Sequence, residues 1–184
     1  MVIHCLWVLG KGRGKGYGNL LIQEGLADAR AQEMPGAVML TSDRAWIPNR
    51  DIFERNGFTE VDAAPPAFQL MVARFGSSPS TAKPKANLPQ NWEERARAFG
   101  PGLTIIHTAQ CPYIASATRD ILALAKERCI ETKTVELKTA RAVQQQSPSA
   151  HGIFGLVLDG QLLTYQPVSR KNFDTLLRER AKGT

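Results

Sequence analysis

Cysteine, histidine and aromatic residues are scarce in this chain, and each shortage removes a class of protein. Three cysteines, Cys5, Cys111 and Cys129, are too few and odd in number for a disulfide-stapled secreted domain. The three histidines, His4, His107 and His151, form no zinc-like spacing with them, so no metal is expected. No aromatic platform accompanies the basic residues Lys11, Arg13 and Lys15, and three charges in one loop make a small duplex footprint, so nucleic acid is not an expected partner. No apolar run reaches the roughly 18 residues that a membrane helix needs, so no membrane partner is expected. The opening residues, Met1 to Leu9, show neither a basic n-region nor a small-residue cleavage site. A reducing cytoplasm is therefore the expected location.

What remains is ordinary globular composition in 184 residues, 43% hydrophobic and 22% charged. The formal charge of +6 favours acidic partners. One stretch, residues 76–91 (GSSPSTAKPKANLPQN), has no apolar periodicity and reads as a linker. It separates a first domain, 1–75, from a second, 92–184.

In the first domain an apolar strand is expected over Val2 to Leu9, then a glycine-dense loop, then a helix over Tyr17 to Gln32 with Leu21, Ile22, Gly25, Leu26 and Ala29 along one side. Ala37 to Thr41 reads as a buried strand, and Asn49 to Asn56 as a helix closed by Gly57. Strands at Phe58 to Val61 and Phe68 to Arg74 complete a β-α-β-α-β-β order. The second domain reads as a helical segment (Trp92 to Phe99) followed by β-α-β-α-β-β-α. Its strands are Leu103 to His107, Thr132 to Lys138, Ile153 to Leu158 and Gln161 to Tyr165. Its helices run over Ile114 to Cys129, over Thr139 to Gln146 with Thr139 as cap, and beyond the cap Ser169. Asp159-Gly160 is a two-residue hairpin signal. The fold class is α/β throughout.

Between the first strand and helix lies Arg13-Gly14-Lys15-Gly16-Tyr17-Gly18. Successive backbone N–H groups before a helix, with its positive end behind them, make an anion site. No Gly-Lys-Ser/Thr follows, which removes a Walker A loop. The third glycine position of a dinucleotide G-x-G-x-x-G is Tyr17 or Asn19, which removes that motif too. The surviving pattern, R-x-x-G-x-G over Arg13 to Gly18, resembles the pyrophosphate loop of the GNAT superfamily of N-acetyltransferases. Ile3-His4-Cys5-Leu6-Trp7-Val8 resembles that family's fourth strand, and Phe53-Glu54-Arg55-Asn56-Gly57-Phe58 its aromatic-x-x-x-Gly-Phe helix end. The resemblance implies a partial GNAT fold that binds acetyl-CoA and transfers acetyl to an amine acceptor. Backbone groups of Leu6 and Val8 would hold the pantetheine arm, and Arg13, Gly14, Lys15, Gly16, Tyr17 and Gly18 the pyrophosphate.

Two departures accompany the resemblance. Phe53 stands where many members carry a tyrosine that protonates the leaving thiolate. The family's earlier strands would precede Met1. That predicts either a truncated start or a half-domain whose exposed edge at strand 2–9 self-associates. No base stands out, since Glu24, Asp28 and Asp51 are expected to be solvated.

The second domain, with Cys111-Pro112-Tyr113 between its first strand and helix, resembles the thioredoxin and glutaredoxin fold. The tandem resembles the YoaP-like acetyltransferases. The resemblance rests also on Ser147-Pro148 before Gly152-Ile153-Phe154, with Pro148 in the place of a cis-proline, and on the Asp159-Gly160 hairpin. A cysteine at a helix start is electrostatically favoured as thiolate, yet Ile114 stands where a resolving cysteine would be. Cys111 therefore reads either as a single catalytic thiol or as an inert turn residue. Cys129 reads as core and Cys5 either as core or as exposed by the missing neighbouring strands; His107 reads as a satisfied structural residue, with a pairing to Cys111 as the alternative. The competing functions are a CoA-dependent acyltransferase or its remnant, a thiol-binding module using Cys111, and a non-catalytic fragment that associates through its sheet edge.

Overall fold

In the computed structural model of the chain, residues 1–44, 47–76 and 86–182 are described. The expected linker core, 77–85, lies outside them. The chain divides into two compact units, Met1–Pro89 and Gln90–Thr184. Leu88, at the far end of the expected linker, donates its N–H to the Asp62 carboxylate and so lies on the first unit.

The first unit holds β1 (Val2–Ile3), a 3-10 turn at Gly10–Gly12, α1 (Tyr17–Ala31), β2 (Gly36–Ser42), α2 (Asp51–Glu54), β3 (Thr59–Ala64) and β4 (Phe68–Arg74). The sheet order is β1-β2-β4-β3, with β1 parallel to β2 and the other pairs antiparallel. Alternation sends Ala37, Met39, Met71 and Ala73 to one face, where Ile22 and Leu26 of α1 and Phe53 and Phe58 around α2 join them in one core. The expected stripe of α1 is buried at Ile22, Leu26 and Ala29, but Leu21 points to solvent. A stripe of three residues on one short helix covers about 100° of its circumference, and Leu21 falls outside it.

Strand β1 corrects the sequence reading. Eight residues of strand were expected, but the ladder with β2 stops after Val2 opposite Val38 and Ile3 opposite Met39. Beyond Ile3 the ladder with β2 ends, and Leu6 packs against the core that α1 and α2 share. The edge available for self-association is therefore two residues long, not eight.

The second unit comprises α3 (Trp92–Arg97), β5 (Leu103–His107), α4 (Ile114–Glu127), β6 (Thr132–Glu136), α5 (Ala140–Gln146), β7 (Phe154–Leu158), β8 (Gln161–Thr164) and α6 (Arg170–Lys182). Its sheet runs β6-β5-β7-β8; β5 and β6 are parallel, and β7 is antiparallel to both its neighbours. Strand β5 is buried on both faces, as a near-continuous apolar run requires. Leu103 and Ile105 pack with Ile121 and Leu124 of α4 and Phe173 of α6. Ile106, on the opposite face, packs with Ala96 of α3, Val157 of β7 and Ala142 and Val143 of α5. Thr139 caps α5 by accepting from the Ala142 N–H at 3.1 Å, and Ser169 accepts from the Asn172 N–H at 3.3 Å. Both residues of the Asp159-Gly160 turn have positive φ, 51° and 73°, as a right-twisting two-residue hairpin demands.

One close approach locks the first sheet. A Cβ added at Gly36 would stand 2.4 Å from the carbonyl oxygen of Ala73, a backbone atom of the paired strand. Gly36→Ala is expected to lower stability by about 1–3 kcal/mol, the usual cost of overpacking. A urea titration would show a lower midpoint at unchanged slope; an unchanged midpoint would contradict the close approach.

Candidate functional site

The glycine loop ends where α1 begins. Gly14 and Gly16 have φ of 76° and 81°, the left-handed region that residues with a Cβ rarely enter. Gly16 precedes the helix directly, and no side chain caps it. The first helical bond runs from the Leu20 N–H to the Gly16 oxygen at 3.2 Å. The N–H groups of Tyr17, Gly18 and Asn19 thus have no acceptor within the helix. No acidic side chain lies in the first turn. Three aligned donors at the positive end of a 15-residue helix make a cradle for an anion. Lys11, Arg13 and Lys15 are all exposed in the loop that leads to it.

Apolar contacts gather the other expected residues around this cradle. Val8 and Tyr17 close on Gly12, whose added Cβ would lie 3.2 Å from Val8 Cγ1 and 3.4 Å from Tyr17 Cδ2. Ile52 and Leu6 flank Gly18 at 3.0 Å and 4.0 Å from the equivalent point. Leu6 and Val8 therefore stand beside the loop, but as irregular chain and not as strand. Tyr17, Leu20 and Leu21 are each about half exposed on the same helical turns.

Phe53 is fully buried and packs edge-on against Phe58, with ring centroids 5.2 Å apart. It is a core residue with no proton to give. Glu24, Asp28 and Asp51 are exposed, as expected. Asp28 accepts from Gln32, and Asp51 from Asn49.

Two residues that the sequence reading passed over join α1 to α2. Asn56 Nδ2 donates to Asn19 Oδ1 at 3.0 Å and to the Ile52 carbonyl at 2.7 Å. The pair is separated by 37 positions, so no periodicity announces it.

In the second unit Cys111 lies partly buried in the turn between β5 and α4, packed against the core under α4 and α6. Its carbonyl accepts from the Ile114 N–H, closing the turn that starts the helix. The neighbouring loop meets this turn through the Thr108 N–H, which donates to the Ile153 oxygen at 2.9 Å. Several expectations fail here. The Ser147-Pro148 bond is trans, the cis bond among the described residues being Pro65-Pro66. Pro148 instead fills the space above Gly155, whose added Cβ would lie 3.0 Å from the proline ring. Cys129 is exposed: α4 ends before it, and it sits in a left-handed turn at φ 54°. Cys5 is exposed because β1 ends before reaching it. The buried Nδ1 of His107 has no partner among the described residues, so His107 is not the satisfied residue expected, and no hydrogen bond joins that atom to Cys111.

Among the described residues, no group of three or more His, Cys, Asp or Glu is placed to hold a metal ion. No helix among them is long and apolar enough to cross a membrane.

The chain matches no protein-family model and no solved structure. Over 179 residues it is 28% identical to the uncharacterized N-acetyltransferase YoaP of Bacillus subtilis (strain 168). The alignment takes in 96% of this chain and 69% of that protein, so the similarity runs through both units.

His151 supplies a test of the loop beside Cys111. Its Nδ1 donates to the Tyr165 carbonyl oxygen at 2.7 Å, and its ring meets that of Tyr165 edge-on. Burial pushes its pKa below the ordinary value of 6.5, with the carbonyl acceptor opposing the shift. As pH falls, the unfolded chain takes up this proton first. The stability owed to neutral His151 is complete above 6.5 and declines below it. Lowering the pH from about 7.5 to about 5.5 should therefore lower the melting temperature more in the wild-type chain than in His151→Asn. Equal losses would contradict the assignment.

Proposed function

We propose that this chain is an acyl-CoA-dependent N-acyltransferase that uses acetyl-CoA as co-substrate and a small-molecule or peptide amine as acceptor. The observation that carries the reading is the uncapped cradle of Tyr17, Gly18 and Asn19 N–H groups behind the R-x-x-G-x-G loop. It is supported by the similarity to a protein named N-acetyltransferase along nearly the whole chain. The cradle and the exposed Arg13 and Lys15 receive the pyrophosphate. Leu6, Val8 and Tyr17 offer the apolar flank along which the pantetheine arm leaves it.

In such a transfer the neutral amine attacks the thioester carbonyl carbon. A C–N bond forms, the tetrahedral oxyanion collapses, and the C–S bond breaks to release CoA thiolate. The amine's extra proton passes to water, and the thiolate takes one up. Phe53 takes no part in either proton movement, so both exchange with solvent.

Titration calorimetry with acetyl-CoA tests the reading. Saturable binding is expected, weakened about tenfold or more by the paired reversal Arg13→Glu/Lys15→Glu, which touches only exposed side chains. Absence of heat up to millimolar ligand would remove it.

The second unit supports a further role. We read this unit as thioredoxin-like, a reading supported by its strand order β6-β5-β7-β8 and by the place of Cys111 in the turn between β5 and α4. We assign Cys111 as a single thiol that meets a disulfide partner: its thiolate attacks one sulfur of the disulfide, the S–S bond breaks, and the other sulfur leaves as a thiolate that takes a proton from water. Ile114, buried beneath the helix start, offers no second sulfur to release the adduct. Cys111→Ser is expected to abolish mixed-disulfide formation with a small aromatic disulfide at this site while leaving acetyl-CoA binding unchanged. Mass mapping of the labelled cysteine distinguishes it from Cys5 and Cys129; labelling of those two alone would contradict the assignment.

A further inference from the structure

We propose that the Asn19–Asn56 hydrogen bond is a clamp that presets the anion cradle of α1, making these two asparagines positioning residues for phosphate recognition. The inference rests on the acyl-CoA reading of that cradle. Asn19 is the third residue of α1, beside the N–H groups that lack helical acceptors. Asn56 holds it in place by donating one Nδ2 hydrogen to Asn19 Oδ1, at 3.0 Å, and the other to the Ile52 carbonyl, at 2.7 Å.

The same bond ties the first turn of α1 to α2. Gly18 permits the approach, since a Cβ there would lie 3.0 Å from Ile52 Cδ1. Phe53, next in sequence to Ile52, is fully buried, so the far end of the clamp is anchored in the core. A turn fixed before the ligand arrives loses less conformational freedom on binding, and this raises affinity without adding a contact to the ligand.

The test is calorimetry with CoA, and competition by inorganic pyrophosphate, on the wild-type chain, Asn19→Ala, Asn56→Ala and the double variant, each checked by thermal melting. Each single substitution should weaken CoA about tenfold, and the double variant no more than the weaker-binding single, because both remove one interaction. Pyrophosphate should weaken in parallel, which a purely structural role would not produce. Asn19→Ala keeps the Asn56–Ile52 bond, so it reads the clamp even where Asn56→Ala fails to fold. Wild-type affinity in a folded Asn19→Ala chain overturns the clamp and leaves the acyl-CoA reading standing. Weakening for CoA with pyrophosphate unaffected also overturns it. A wild-type chain that gives no heat with CoA removes the acyl-CoA reading, and the clamp falls with it.

Discussion

Burial of Ile22, Leu26 and Ala29 against the Met39 and Met71 face of the first sheet holds α1 in place, and the site chemistry follows from it. Each of the two larger side chains contributes about 1.5–3 kcal/mol on burial. That is enough to hold a helix which no side chain caps at its start. An uncapped helix end costs stability when its donors lack partners, so such ends are tolerated where water or a ligand supplies the acceptor. Here the packing lower on the helix carries the cost, and the first turn is left open to an anion.

The two units illustrate different uses of a four-stranded mixed sheet. The second is covered on both faces: β5 places Leu103 and Ile105 under α4 and α6, and Ile106 under α3 and α5. Its polar features sit at loop ends, where Cys111 and His151 lie beside the edges of that core. In the first unit α1 and α2 lie together on one face, and the first turn of α1 meets the chain just past the end of α2 through Asn19 and Asn56. The exposed donors of the first unit are thus backbone N–H groups at the start of α1, whereas the group that stands out in the second is the Cys111 side chain.

Much of this was legible from local chemistry. Gly57 as a helix stop, Thr139 and Ser169 as caps, and Asp159-Gly160 as a hairpin each follow from preferences that act within a few residues. Strands β4 and β5 fall on the residues that apolar patterning marks. The failures are of another kind. The run from Val2 to Leu9 has the composition of a strand, but strand length is set by the partner, and the β1–β2 ladder ends at Ile3. Cys129 continues the helical spacing of α4, yet the helix ends at Glu127 and Cys129 itself takes the left-handed conformation that closes it. Asn19 and Asn56 carry no periodic signal at all, because a contact across 37 residues is a property of packing. The glycine loop before α1 could be read from the sequence; the hydrogen bond between Asn19 and Asn56 beside it could not.

The exposure of Cys5 and Cys129 has a practical consequence for assembly. Two accessible thiols on a chain allow air oxidation to link copies covalently, and linked copies can grow beyond dimers. Apparent oligomers formed without reductant would therefore report sulfur chemistry, and say nothing of the two-residue edge at β1. Only a mass measured with both thiols kept reduced, or replaced by serine, speaks to non-covalent association.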